Sequence, residues 1–167
     1  MSALRRFVGA VSVAWAAALP AAALATTFPS DATWGIGYGF ALLVYAIGSY
    51  VCHQRPERSF HLLGVQLPVC ARCTGIYAGA AMTVFWPSVR ETLPLTGWPA
   101  RIALLVSALP TIATFAYEWT TGQAPGHWTR AASGVPLGMC VAWIVFAAMY
   151  WTGTGASPRA GRLPSQP

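Results

Sequence analysis

A compact group of cysteines and histidines lies between residues 52 and 73, which hold three of the chain's four cysteines and two of its three histidines. The candidate metal ligands are Cys52, His53, His61, Cys70 and Cys73. Cys70 and Cys73 have the Cys-x-x-Cys spacing of structural zinc sites, and Cys52 could add a third sulfur. Sulfur and imidazole donors favour zinc, iron or copper over magnesium or calcium. The segment therefore predicts a site for zinc or another transition metal, with His53, His61 or a water as fourth ligand.

The same cysteines also fit a second function, that of a membrane thiol–disulfide oxidoreductase that passes electrons to a quinone. Pro68 suits the first turn of a helix, so Cys70 and Cys73 are expected one turn apart at a helix N-terminus. The helix dipole and the adjacent Arg72 both favour thiolate over thiol. Cys140 lies alone in an apolar run and is expected to be inert.

Four arginines and one glutamate form a second group of candidate functional residues: Arg55, Arg58, Arg72, Glu118 and Arg130. Guanidinium groups beside a helix N-terminus could hold a phosphate or a lipid headgroup. That interpretation would make the chain a non-catalytic protein for anionic-lipid binding or assembly. The alternative is that interfacial arginines only extend towards water. Glu118 and Arg130 could pair with each other or with the cysteine segment. Glu118 is expected to pair with Arg58 or Arg72 and to leave that arginine partly buried.

The overall composition places these polar residues in a membrane protein. Hydrophobic residues make up 56% of the 167 residues and charged residues only 8%, whereas a soluble domain has about 25% charged residues. These proportions exclude a water-soluble globule and a disordered chain. The expected partner is the lipid bilayer, with an anionic lipid, a small molecule or a second copy of the chain as further candidates. No nucleic acid is expected as a partner.

Five apolar windows predict an all-α, polytopic membrane protein with four or five transmembrane helices, because a span needs about 20 mostly apolar residues. The windows cover residues 7–25, 34–51, 69–86, 102–119 and 134–151. Tryptophans at many window borders are typical of the aromatic belts of membrane proteins. The first window is either a retained helix or a cleaved signal peptide, because Arg5 and Arg6 precede it and small residues end it.

The windows divide the chain into three parts. Residues 1–33 form a first hydrophobic segment and an outer loop, residues 34–151 form a four-helix domain with the polar residues, and residues 152–167 form a flexible tail. With Arg5 and Arg6 inside and two crossings to follow, residues 52–68 are expected to face the cytoplasm. Because the cytosol keeps thiols reduced, this placement argues against a stable disulfide but not against a transient one.

Glycines four residues apart occur twice, as Gly75 and Gly79 in the third window and as Gly134 and Gly138 in the fifth. This spacing lets helix backbones approach closely. Chance is an equally good explanation in a chain with 16 glycines.

The polar segment resembles a known family of prokaryotic predicted membrane proteins, the domain-of-unknown-function family 2085. The resemblance rests on Cys-His-Gln-x-Pro-Glu-Arg-Ser-Phe at 52–60, Gly-x-Gln at 64–66 and Pro-x-Cys-Ala-Arg-Cys-Thr-Gly-Ile-Tyr-x-Gly at 68–79. It covers roughly residues 38–140, with Arg130 and the later glycine pair also matching. Glu118 stands where the family tends to show Asp-Gly, so no family role passes to that carboxylate. The resemblance implies a multi-pass protein of a prokaryotic inner membrane and no particular activity.

Overall fold

The computed structural model describes residues 2–27, 34–85 and 97–154, and five α-helices account for most of them. The helices are α1 (Ser2–Thr27), α2 (Trp34–Val51), α3 (Ala71–Phe85), α4 (Trp98–Thr121) and α5 (His127–Thr154). The all-α class predicted from the sequence is confirmed, with the addition of a small two-stranded sheet. Residues 152–154 of the expected flexible tail belong to α5, and the rest of that tail lies outside the described residues.

Three of the helices are long and apolar enough to cross a membrane. These segments are Arg6–Thr27, Trp98–Thr121 and His127–Met149, while Gly35–Val51 is a shorter apolar helix. The 15 residues of α3 span about 22 Å at 1.5 Å per residue. That length is below the roughly 30 Å of a bilayer's hydrocarbon core, so α3 is shorter than the expected span at 69–86.

A β-hairpin connects α2 to α3, where the sequence predicted only a loop. A turn of 3₁₀ helix (Pro56–Arg58) is followed by the antiparallel strands β1 (Ser59–Leu62) and β2 (Val65–Cys70). The turn residues Leu63 and Gly64 both have positive φ, 51° and 84°, as the common two-residue hairpin turn requires. The hairpin closes a compact unit between the two helices.

Pro68 lies in β2 and does not open a helix as expected from the sequence. The strand register shifts between Ser59 and His61, opposite the part of β2 that contains Pro68. A proline has no N–H to donate to a strand partner, and an irregularity of this kind tolerates it. Helix α3 therefore begins three residues later, at Ala71, and Cys70 immediately precedes it.

Glycines set the closest contact between helices, the one between α3 and α5. A Cβ atom on Gly75 would overlap the carbonyl oxygen of Ala131, and one on Gly138 would overlap the carbonyl oxygen of Ile76. Gly79 and Gly134 face the opposing backbone equally closely. The glycine spacing is thus confirmed as a packing feature, because each glycine leaves room for a backbone carbonyl of the opposing helix.

Helix α1 runs antiparallel to α3. Near its start, Gly9 packs against Val84 in the last turns of α3. In its middle, Trp15 meets Tyr77 edge-on with ring centroids 6.0 Å apart. Towards its end, Leu19 is buried in the same apolar cluster as Val69 of β2. The hairpin therefore lies beside the last third of α1, far from the start of that helix.

This arrangement corrects the expected order of crossings. The sequence predicted that α1 and α2 each cross fully, which would return the chain to the level of Arg6 before residue 52. In the structure, Gly37 near the start of α2 faces Ala25, and Cys52 after α2 shares a core cluster with Leu19. The start of α2 and the hairpin that follows α2 thus lie beside the last third of α1. Arg6, which lines a groove beside the end of α3, and the hairpin lie at opposite ends of the bundle.

Helix α4 ends at the same end of the bundle as the hairpin. Gly122 adopts the left-handed conformation with φ 68°, and its N–H donates to the carbonyl oxygen of Glu118 at 3.0 Å. A residue without a Cβ adopts this helix-ending conformation at little cost. The cap places Glu118 in the last turn of α4, and α5 begins five residues after Gly122 at His127.

Candidate metal centre and arginine cluster

The three cysteines of the polar segment meet in space. The Sγ atoms of Cys52, Cys70 and Cys73 all lie within 4.8 Å of one another. Cys52 follows α2, Cys70 ends β2 and Cys73 lies in the first turn of α3, so the hairpin returns the chain to the point from which it left. The backbone N–H of Cys70 donates to Sγ of Cys52 at 3.2 Å. We call these three residues the thiol cluster.

Two glutamines fix the hairpin against α2 and thereby position the thiol cluster. The Gln54 side-chain amide donates to the carbonyl oxygens of Tyr45, at 2.8 Å, and Pro68, at 2.7 Å. The Gln66 amide donates to the carbonyl oxygen of Gln54 and to the hydroxyl of Ser59. The Tyr45 hydroxyl in turn donates to the carbonyl oxygen of Gln66. These bonds tie together both strands and the end of α2.

The surroundings of the thiol cluster are largely apolar. Cys52 is buried and packs with Leu19, Val44 and Val69, while Cys70 and Cys73 are half-buried. The pKa of the Cys70 thiol is lowered from 9.0 to about 5, chiefly because the Cys73 thiol hydrogen-bonds to it, although burial acts in the opposite direction. The contact with Cys73 therefore favours the thiolate form of Cys70.

The two candidate histidine ligands stand apart from the three sulfurs. Among the described residues, the group of donor atoms close enough to share an ion contains only Cys52, Cys70 and Cys73. His61 is exposed on β1, paired in register with Gln66. His53 is also exposed and lines a small cavity together with Cys70.

Glu118 gathers three arginines around one carboxylate. Its Oε1 atom lies 2.9 Å from Arg58 Nη2 and 2.8 Å from Arg130 Nη2. Its Oε2 atom lies 3.7 Å from Arg72 Nη2. The Glu118 side chain is 11% exposed and that of Arg130 only 3%. The sequence predicted one partner for Glu118, whereas the structure places three there; we call these four residues the arginine cluster.

Helix α4 supplies two further contacts to the arginine cluster that sequence reasoning missed. The guanidinium carbon of Arg72 lies 3.6 Å from the centroid of the Phe115 ring, which is a cation–π contact. Arg72 also donates to the hydroxyl of Thr114 at 3.1 Å. Thr114 and Phe115 precede Glu118 by four and three residues, so they share its helix face. That spacing was the signal available in the sequence.

Arg55 stands at the edge of this arrangement. Its only ion pair among the described residues is with Glu57 at 4.0 Å, and both side chains are more than half exposed. The Ser59 hydroxyl donates to its carbonyl oxygen at 2.9 Å, which fixes the turn before β1. Arg55 nevertheless lines the same small cavity as the arginines of the cluster.

Comparisons with known proteins place both clusters inside the segment that matches one family model. Residues 52–144 match the model of a family described as predicted membrane protein (DUF2085). An uncharacterized protein of Methanothermobacter thermautotrophicus is 34% identical over 93 residues, 56% of this chain and 82% of that protein. An uncharacterized protein of Methanocaldococcus jannaschii is 40% identical over 71 residues, 42% of this chain and 45% of that protein.

A third relative is the terpene cyclase macJ of Penicillium terrestre, 26% identical over 158 residues, 80% of this chain and 57% of that protein. This chain thus spans about half the length of the last two relatives. No solved structure matches the chain.

Proposed function

Since the chain belongs to the DUF2085 family of predicted membrane proteins, we propose that it holds one transition-metal ion, zinc first among them, on the thiol cluster. The observation that carries this proposal is the approach of the three Sγ atoms to within 4.8 Å of one another. In a tetrahedral zinc site with Zn–S bonds of about 2.3 Å, the sulfurs are about 3.8 Å apart. Each pair of sulfurs therefore needs to close by roughly 1 Å or less.

The chemistry of the three sulfurs supports the same proposal. A metal binds thiolate, and Cys70 reaches that form at neutral pH. The N–H that Cys70 directs at Cys52 Sγ stabilises negative charge on that sulfur. Because the described residues bring no histidine or carboxylate to the group, a fourth coordination position is left for water or a small partner. Such a position suits a metal that takes part in processing or transport.

Titration of the purified protein with Co²⁺ tests the proposal. Tetrahedral Co²⁺ bound to thiolates gives strong charge-transfer absorption, and one equivalent should saturate the signal. Cys52→Ser, Cys70→Ser and Cys73→Ser should each weaken or abolish it, whereas Cys140→Ser, in α5 and outside the cluster, should leave it unchanged. Absence of thiolate absorption in the folded wild-type protein would contradict the proposal.

The Cys70 thiolate and its Cys73 partner favour a second candidate function, thiol oxidation. In that reaction, Cys70 and Cys73 form a disulfide and give two electrons and the Cys73 proton to a quinone, which takes its second proton from water and becomes the quinol. The two candidates differ in their need for Cys52, because the metal site uses three sulfurs and the disulfide uses two. Cys52→Ser should therefore destroy metal binding but would spare quinone reduction.

A prokaryotic cell membrane is the proposed location. The two uncharacterized archaeal relatives support it, as do the three helices of membrane-spanning length and composition. The lipid bilayer is then the immediate partner of the many exposed apolar side chains of α2 and α4.

A further inference from the structure

A small cavity opens between the hairpin and the starts of α3 and α5. Its volume is about 30 Å³. Its walls carry four guanidinium groups, those of Arg55, Arg58, Arg72 and Arg130, and among the described residues no carboxylate lines it. Cys70 also lines the cavity, so the cavity adjoins the thiol cluster.

The charges around the cavity do not balance. Three guanidinium groups surround Glu118, which leaves two positive charges without a carboxylate among the described residues. If Cys70 is a thiolate, one positive charge still remains. A zinc ion bound to three thiolates has a net charge of minus one, so it too would leave one guanidinium charge uncompensated. Because an unbalanced buried charge is costly, the cluster calls for a further anion.

Two arginines that line the cavity each have a buried N–H group without an acceptor among the described residues. The Nε atoms of Arg72 and Arg130 are buried and have no hydrogen-bond partner within the part of the chain that the structure describes. The Arg130 side chain is 97% buried, since only 3% of it is exposed. A buried N–H without an acceptor costs free energy, and both of these groups belong to residues that line the cavity.

We propose that this cavity binds a phosphate group, carried either by a soluble phosphate compound or by the headgroup of an anionic phospholipid. Guanidinium forks match the oxygens of phosphate, and donors from the 3₁₀ turn, α3 and α5 suit a tetrahedral anion better than a planar one. A water needs roughly 10–15 Å³, so the cavity has room for a compact polar group but not for an acyl chain. The site does not depend on the metal.

Calorimetric titration of the full-length protein in detergent with inorganic phosphate tests this site. Arg55→Gln removes a lining charge without stripping Glu118 of a partner, so the protein should fold and bind phosphate about tenfold more weakly. Arg101→Gln removes the same charge from an exposed position in the first turns of α4 and should change nothing. Equal weakening in both variants, or no binding by the wild-type protein in either detergent or lipid, would overturn the proposal.

Glu118→Gln should change phosphate affinity in the opposite direction to Arg55→Gln. Removing the carboxylate raises the positive charge beside the cavity, so phosphate should bind more tightly than in the wild type. The variant should be less stable without phosphate, and phosphate should raise its unfolding temperature more than it raises that of the wild type. A phosphate effect on Glu118→Gln no larger than on the wild type would contradict an anion site.

Nanodiscs distinguish the two sources of the phosphate group. One preparation contains phosphatidylcholine alone, and the other also contains phosphatidic acid, whose headgroup is a phosphomonoester. If the lipid headgroup fills the site, phosphatidic acid should be retained and should block inorganic phosphate. If a soluble compound fills it, phosphate should bind equally in both preparations. Cys52→Ser should leave either result unchanged, which separates this site from the proposed metal centre.

Discussion

The thiol cluster and the arginine cluster are neighbours that share one end of the bundle, yet the chain builds them in different ways. The thiol cluster is assembled by one hairpin, and its three sulfurs come from a single short stretch of chain, residues 52–73. The arginine cluster draws one residue each from the 3₁₀ turn, α3, α4 and α5. Its buried charges are stable only if all four of these elements keep the arginines close to Glu118. We therefore expect the thiol cluster to tolerate disturbance of the helices and the arginine cluster not to.

The largest effect should appear in labelling from one side of the membrane, because both clusters lie at the end of the bundle opposite Arg6. The chain contains no lysine, so Ser2→Lys and Leu63→Lys introduce single side-chain amines and leave the cysteines intact. Leu63, at the exposed tip of the hairpin, reports on the clusters. An impermeant amine reagent applied to intact cells should label one of the two introduced lysines and spare the other. Labelling of both from the same side would contradict the antiparallel arrangement of α1 and α3.

The largest change in stability should follow removal of the central carboxylate. Glu118→Ala leaves three arginines without their shared partner, two of them almost fully buried, and should lower the free energy of unfolding by about 3–5 kcal/mol. Glu57→Ala is the matched control, because Glu57 is 63% exposed and an exposed pair contributes about 0–1 kcal/mol. Unfolding in mixed detergent measures both. Equal stability of the two variants would mean that the arginine cluster is merely a hydrated surface.

A smaller effect should follow from separating α3 and α5. Gly75→Val places a side chain against the Ala131 carbonyl and should cost about 1–3 kcal/mol. It should also weaken phosphate binding, because Arg72 and Arg130 lie on these two helices. Gly39→Val, at a position with open space around it, serves as control and should be neutral.

The Co²⁺ affinity of Gly75→Val tests whether the thiol cluster is less sensitive to helix packing than the arginine cluster. If the hairpin alone assembles the thiol cluster, Co²⁺ affinity should survive this substitution. Loss of metal binding together with phosphate binding would show that the two clusters form one cooperative unit.

The sequence revealed the helices and the thiol cluster because both follow from local patterns. The window at 34–51 coincides with α2, and the motif spacing brought the three cysteines into one hypothesis. The hairpin was missed because Pro68 argues against a strand, although Leu63-Gly64 was a usable turn signal. The gathering of Arg58, Arg72 and Arg130 at Glu118 depends on how distant helices pack, which spacing along the chain does not encode.

A still smaller effect on stability should come from the hydrogen bonds that hold the hairpin. Gln66→Ala removes the amide that joins Gln54 and Ser59 and should cost about 1 kcal/mol. Metal affinity should fall by about tenfold or more, as is typical when a group that positions ligands is lost. Gln123→Ala, in the exposed connection before α5, should alter neither quantity. Undiminished metal affinity in Gln66→Ala would show that the glutamines do not position the sulfurs.

The mildest test changes only the pH of the metal-free protein. Folded Cys70 loses its proton near pH 5, while an ordinary thiol keeps its proton to about pH 9. Between these values the unfolded state binds more protons, so this group's contribution to stability should grow as pH rises from 5 to 9 and vanish as pH falls through 5. The alkylation rate of Cys70 should have its midpoint near pH 5. A midpoint in the ordinary thiol range would show that Cys73 does not activate Cys70.

Elemental analysis of the protein purified without chelator tests the central claim most directly. We expect about one zinc, or one other transition-metal ion, per chain, because three sulfurs within 4.8 Å of one another can share a single ion. The metal content should fall sharply in Cys52→Ser, Cys70→Ser and Cys73→Ser and stay unchanged in Cys140→Ser. A folded, metal-free protein in which Cys70 and Cys73 form a reversible disulfide would contradict the metal centre and favour the oxidoreductase.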